Sequence, residues 1–169
     1  MSLRGEIIQV SVSKGGIPKL AVPEAYCAPL GLEGDAHRNP RYHGGPRKAL
    51  LLVSAEDLER LRAKGFGVSP GSLGENLTVR GVDFRQLRSG MRFRAGGAVV
   101  ELTTLRTPCE TLDVFNADGA RIQEHLHDER CKAGDASSSR WAVGGFYASV
   151  AQPGLVRAGD ILELVDVAV

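Results

Sequence analysis

Apolar and polar positions alternate along much of the chain, and the period changes where the elements change. Residues 6–13 alternate strictly and predict a half-buried first strand with Ile8, Val10 and Val12 on one face. Lys14-Gly15-Gly16-Ile17-Pro18 reads as a turn. The stretch after it is extended but interrupted by Pro23 and Pro29, which predicts an edge or covering segment, because proline cannot donate to a ladder. Lys48-Ala49-Leu50-Leu51-Leu52-Val53 is a strand predicted to be buried on both faces. Ser54 then caps a helix with Glu56 and Asp57 in its first turn, Leu58 and Leu61 on its apolar stripe, and a stop at Lys64-Gly65. That helix is read as packing, with no chemistry on it. Residues 91–95 and 98–105 flank Gly96-Gly97 and predict a hairpin with a type I′ turn. Ile122 and Leu126 predict a short surface helix over 121–129, with His125 and His127 pointing in different directions into solvent. Residues 132–140 carry three consecutive serines and read as the most flexible stretch, a lid or a loose loop. Two strands, 141–150 and 161–167, close the chain.

The chemistry concentrates where these elements end. The strand over 98–105 runs into Arg106-Thr107-Pro108-Cys109-Glu110, and Pro108 must stop it. Residues 110–116 can make one or two helical turns, so Cys109 stands on a stiff corner between a strand end and a helix start. Arg106 and a helix N-terminus would both favour its thiolate. The alternative is a small buried hydrophobe, the usual role of a free cysteine. A second concentration is the glycine- and proline-rich loop 31–47, which holds Asp35, His37, Arg38, Arg41, His43 and Arg47. Zinc held by His37, His43 and Cys109 is conceivable, but the spacing matches no closed zinc motif. A third is the loop Pro70-Gly71-Ser72-Leu73-Gly74-Glu75-Asn76, whose glycines permit close backbone approach to a ligand. There Asn76 is equally a turn cap.

Composition narrows the class. The 169 residues fit one domain spanning 1–169, with no internal repeat and no linker. The 21 glycines, set among many short β-rich runs, point to a mainly-β (α+β) fold full of tight turns. A net charge of +1 gives no broad footprint for nucleic acid or an anionic membrane, so any anion must be held by a local site. No apolar run reaches the roughly 18 residues needed to span a bilayer, and the first residues lack a signal-peptide pattern. Cys27, Cys109 and Cys131 cannot all pair, and none lies in a CxxC motif. Reduced thiols in a cytoplasmic protein are expected.

Gly34-Asp35-x-His37, His43-Gly44-Gly45, Pro70-Gly71-x-x-Gly74-Glu75-Asn76-Leu77 and Arg106-x-Pro108-Cys109 occur in that order with strands between them. Taken together they resemble the MOSC family, named for the C-terminal domain of molybdenum cofactor sulfurases, and in particular its small standalone members. The resemblance covers nearly the whole chain. It implies a β-barrel with a few short helices covering its mouth, and binding of the molybdenum cofactor (molybdopterin). At the level of the family it also implies pyridoxal phosphate binding. It further implies that Cys109 is the metal ligand or a carrier of transferable sulfur. Related standalone proteins reduce small N-hydroxylated compounds with a separate electron-donor protein. Asp35, His37, His43, Arg47, Lys48, Glu75, Asn76 and Arg106 are the candidate cofactor-binding residues. Arg47, Lys48, Arg106 and Arg140 are candidate partners for the cofactor's phosphate, and the glycine loops at 44–45 and 71–74 are candidate backbone N–H donors. Three readings of Cys109 result: metal ligand in an oxidoreductase, persulfide carrier, or part of a non-catalytic cofactor-binding module. The chain departs from the family at Trp141-Ala142-Val143-Gly144-Gly145-Phe146-Tyr147, which follows a serine run, and its 5% aromatic content leaves little to stack on a pterin.

Overall fold

The computed structural model of the chain describes residues 3–36 and 44–167. His37 and His43, and with them the conceivable zinc trio, lie outside the described residues. The strands are β1 (Arg4–Val12), β2 (Leu20–Val22), β3 (Glu24–Ala28), β4 (Gly31–Leu32), β5 (Leu50–Ser54), β6 (Leu77–Arg80), β7 (Met91–Ala95), β8 (Ala98–Leu105), β9 (Phe146–Gln152), β10 (Gly154–Arg157) and β11 (Ile161–Val167). The helices are α1 (Ala55–Ala63), α2 (Gln123–Leu126) and α3 (Glu129–Lys132), with 3-10 turns at Pro46–Lys48, Phe84–Gln86 and Glu110–Phe115.

In the large sheet the order is β11-β7-β8-β9-β5-β6-β1, and β11 pairs back onto β1, so seven strands close into a barrel. The closing register joins Arg4, Gly5 and Glu6 to Glu163, Leu162 and Ile161. β2 pairs with β1 outside the ring, and β10, β3 and β4 make a separate small sheet. Neighbouring strands are antiparallel except β5 and β6, which α1 connects as a parallel pair.

Two apolar clusters hold this together, and β5 belongs to both. Leu50 and Leu52 join a cluster with Ile7, Val10, Leu77, Phe93, Val100, Leu102, Phe146 and Leu162. Leu51 and Val53, on the other face, pack with Leu58 and Leu61 of α1 and with Leu73, Leu112, Ile122, Leu126 and Val143. The two-sided burial expected of this strand is therefore observed, and it begins at Leu50 because Pro46–Lys48 is a 3-10 turn. Leu73 and Leu112 matter beyond packing, since each anchors a loop of the site described below. Ser54 caps α1 as expected, its hydroxyl accepting from Asp57 N–H at 3.2 Å.

Some expectations need correction. In β1 the fully buried residues are Ile7, Val10 and Ser11, not an Ile8-Val10-Val12 face. The register against β6 shifts between Ile7 and Gln9, and an irregularity of one residue exchanges the faces. Of Gly96 and Gly97 only Gly96 takes positive φ (58°), and a type I′ turn needs it at both. Residues 141–145 turn instead of extending, with Ala142 at φ 61° and Gly145 at φ 103°, so β9 starts only at Phe146. The helix expected over 121–129 breaks at His127, whose backbone is extended, and Asp128 then caps α3. His125 is half-buried against Phe66, with ring centroids 5.0 Å apart, and is not solvated. The serine stretch is pinned: Ser138 is 3% exposed and donates to Asp128 at 2.6 Å.

Candidate active site

Cys109 sits where the sequence places it, on a corner leaving the barrel. β8 ends at Leu105, Arg106 N–H donates to Gly145 C=O at 2.9 Å, and Cys109 precedes the 3-10 turn Glu110–Phe115. This turn has six residues and is anchored by buried Leu112, so the cation beside the thiol is Arg106 and no long helix points at it. The corner is held from outside by Gln123, which donates to Cys109 C=O at 3.1 Å. The thiol itself donates to Thr111 Oγ1 at 3.2 Å. All three cysteines are free, but Cys27 and Cys131 are buried and Cys109 is only half-buried. Burial pushes the Cys27 thiol up to about 11 and raises Cys131 as well, which makes both poor nucleophiles.

Cys109 opens onto a cavity of about 420 Å³, within the roughly 300–1,000 Å³ typical of cofactor and small-molecule sites. Its polar wall is formed by Lys19, Lys48, Asn76, Arg106, Thr111 and Tyr147, and its apolar wall by Ile17, Leu51 and Leu73. Four of the sequence candidates, Lys48, Asn76, Arg106 and Cys109, thus meet in one place.

Arg106 is only 8% exposed, and its one side-chain hydrogen bond within the described residues runs from Nη1 to Gly144 C=O at 3.3 Å. Burial holds the guanidinium below its usual range, opposed by neighbouring Tyr147, Cys109 and Glu75, and it remains a cation at neutral pH. Burial pushes the Tyr147 phenol up, with Arg106 opposing, so this hydroxyl keeps its proton. Lys48 Nζ lies 5.1 Å from the centre of the Tyr147 ring, which orients the ammonium over the cavity.

Lys19 and Asp35 form the second part of the wall. The Asp35 side chain is 2% exposed and accepts from Lys19 Nζ at 2.6 and 2.7 Å, Ser13 N–H at 2.9 Å and Asn76 Nδ2 at 2.8 Å. Asp35 therefore stands behind the cavity and sets the positions of two residues that line it. Asn76 is a staple: Nδ2 donates to Asp35 and to Ser11 C=O, while Oδ1 accepts from Leu51 N–H. Both amide hydrogens are committed to the protein.

The remaining candidates fall elsewhere. Glu75 is fully buried in the 71–75 turn, accepting from Leu73 N–H at 3.2 Å and Thr78 Oγ1 at 2.9 Å, and desolvation pushes its carboxyl up. Arg47 is exposed and off the cavity wall, its carbonyl accepting from Thr103 Oγ1. Arg140 donates from Nε to Glu124 C=O and lines a different cleft. In the loop 71–74 the N–H groups of Ser72, Leu73 and Gly74 are used within the loop. Its glycine serves the protein instead: at Gly71 (φ 91°) a Cβ would lie 2.1 Å from Lys19 C=O. Sequence reasoning missed Lys19. The signal that could have found it is Asp35, a carboxylate ahead of a buried strand that needs a cation if it is to be buried itself. Among the described residues no group of three or more His, Cys, Asp or Glu side chains is arranged to hold a metal ion.

Residues 39–163 match the family model of the MOSC domain. Protein YiiM of Escherichia coli (strain K12) is 32% identical over 141 residues, 80% of this chain and 57% of that protein. The uncharacterized protein YflK of Bacillus subtilis (strain 168) is 31% identical over 135 residues, 78% of this chain and 54% of that protein. The chain spans a little over half the length of these curated relatives. The crystal structure of YiiM from Escherichia coli superposes with a TM-score of 0.67 at 27% identity, over 97% of this chain and 73% of that one. The YuaD protein from Bacillus subtilis, at 20% identity and a TM-score of 0.71 over 97% of both chains, shares the fold. With the closed barrel, the order of the motifs and these matches in agreement, the chain belongs to the MOSC domain family.

Proposed function

We propose that the cavity beside Cys109 binds the molybdenum cofactor, with the Cys109 thiolate as a ligand of the metal, and that the protein supports reduction of N-hydroxylated compounds. The observation that carries this reading is the meeting of one half-buried thiol with Lys19, Lys48 and Arg106 on a single cavity wall. The residues suit the group on three counts. A thiolate is a soft donor of the kind transition metals take. Three cations, one of them neutralised by Asp35, match a phosphate-bearing ligand. The apolar patch of Ile17, Leu51 and Leu73 gives a ring system a dry face.

When bound, the cofactor supplies the two-electron chemistry, and a separate protein supplies the electrons. The chain's own residues do the rest. Arg106 and Lys48 bind negative charge, Asp35 holds Lys19 and Asn76 in place, and Thr111 fixes the thiol's orientation. Tyr147, kept protonated by burial, holds a proton inside the cavity.

The test is metal analysis of the protein from a host that makes the cofactor. Stoichiometric molybdenum is expected in the natural sequence and its loss in Cys109→Ala, with an unchanged far-UV circular dichroism spectrum showing that the barrel still folds. Well-folded protein without molybdenum from such a host would overturn the reading. A mass increase of one sulfur atom on Cys109, lost on reduction, would assign the thiol to sulfur transfer instead. Cofactor retained by Cys109→Ser, without turnover, would leave a binding module.

A further inference from the structure

We propose that a second cleft, between α1, the 3-10 turn Phe84–Gln86, α2 and residues 139–143, is a binding site for a phosphate-type oxyanion. It shares no lining residue with the Cys109 cavity, and its volume is about 620 Å³. Arg60, Lys64, Arg85 and Arg140 line it against two carboxylates, Asp57 and Asp83. The cleft thus concentrates a surplus of two positive charges on a chain whose net charge is +1.

The cations are arranged. Asp57, with a side chain 3% exposed, accepts from Arg60 Nη1 at 2.8 Å and is forked by Arg85 through Nη1 and Nη2. One buried carboxylate therefore holds two guanidinium groups, that of Arg85 largely buried and that of Arg60 on the exposed side of the pair. Lys64 and Arg140 have no carboxylate within ion-pair distance among the described residues. Arg140 is nevertheless held in position, because its Nε donates to Glu124 C=O.

Two polar atoms of lining residues, Arg85 Nε and His125 Nδ1, are buried without a hydrogen-bond partner. Native proteins rarely leave such atoms unmet: Arg85 Nε calls for an acceptor, and His125 Nδ1 for a donor or an acceptor according to its tautomer. Burial, with Lys64 and Arg140, holds His125 below the usual imidazole range, so it adds no positive charge of its own to the cleft. A tetrahedral oxyanion has enough acceptor oxygens to engage guanidinium and ammonium groups together with the hydroxyl of Ser139, which a single carboxylate does not. The near-neutral net charge argues against a nucleic-acid backbone and for a small phosphorylated molecule.

The experiment is a backbone-amide NMR titration of the full chain with inorganic phosphate and pyrophosphate, with potassium chloride at matched ionic strength as a parallel arm. Saturable shifts are expected for amides of 57–64, 85 and 139–143, with no such response to chloride. Lys64→Ala with Arg140→Ala should weaken the phosphate response about tenfold or more, while shifts around 106–111 are unaffected. Lys64→Ala alone, at an exposed position, should weaken it in the same direction and guards against a folding defect in the double variant. An unsaturable response, equal shifts with chloride, or an unchanged affinity in both variants would overturn the proposal. Because the readout is local to the cleft, its failure is distinct from any failure to bind molybdenum at Cys109.

Discussion

Asp35→Ala should be among the most damaging single changes in the protein. It removes the carboxylate that Lys19 Nζ reaches at 2.6 and 2.7 Å, with the two side chains 8% and 2% exposed. Stripping one partner from a buried ion pair costs about 3–5 kcal/mol. Ser13 N–H and Asn76 Nδ2 lose the same acceptor, and each buried donor left dry adds about 1–3 kcal/mol. Water entering from the adjacent cavity relieves part of this, so the expected total is about 4 kcal/mol. In urea, with a slope of about 2 kcal/mol per molar, the unfolding midpoint should fall by about 2 M. The control is Lys19→Met combined with Asp35→Leu, which removes both charges and should recover the part of the loss that comes from stranding Lys19, while Ser13 N–H and Asn76 Nδ2 stay without their acceptor. A midpoint drop under about 0.5 M for Asp35→Ala, or a double variant no better than the single, would refute the description of a buried pair braced by Asn76.

Two further outcomes follow from the same region. Burial raises the folded-state value of Glu75 above its ordinary 4.5, so the native state holds a proton that the unfolded chain releases. This contribution to stability is full at low pH and is lost as pH rises through the folded value. The difference in thermal midpoint between the natural protein and Glu75→Gln should therefore shift against the natural protein as pH rises above 4.5. A difference that does not vary with pH would contradict this assignment. Gly71→Ala puts a Cβ 2.1 Å from Lys19 C=O at φ 91° and should cost about 2–3 kcal/mol, measured by denaturant unfolding. Pushing Lys19 off the wall should also weaken anion binding in the Cys109 cavity.

What could be read from the sequence was mostly what is local. The two-sided burial of β5, the Ser54 cap and the stop at Pro108 that presents Cys109 each depend on a few neighbouring residues. Lys19 was invisible for the opposite reason. A lysine between prolines reads as solvated, and only the return of Asp35 sixteen positions later makes its burial tolerable. Arg140 and Arg106 look alike as candidate phosphate partners, yet the chain carries them to different cavities, and no local pattern records which. The glycines of the 71–74 loop suggest close backbone approach to a ligand, whereas what approaches Gly71 in the structure is the backbone of Lys19. The face exchange in β1 turns on one irregular pairing with β6, a strand some seventy residues away. Barrel closure has no local signal at all, and came into view through the order of motifs that resembles the MOSC family.

That closure also dictates a sequence of events during synthesis. β1 can pair with β6 once both have left the ribosome, but its other edge waits for β11, made about eighty residues after β6. An edge left open during translation is a template for aggregation. Here the wait is shortened by β2, which occupies Val10–Val12 on that same edge through a local hairpin and forms early because its contacts are close in sequence. Only the segment Arg4–Glu6 is left for β11. A strand of three residues outside the barrel thus guards the nascent chain until the ring can close.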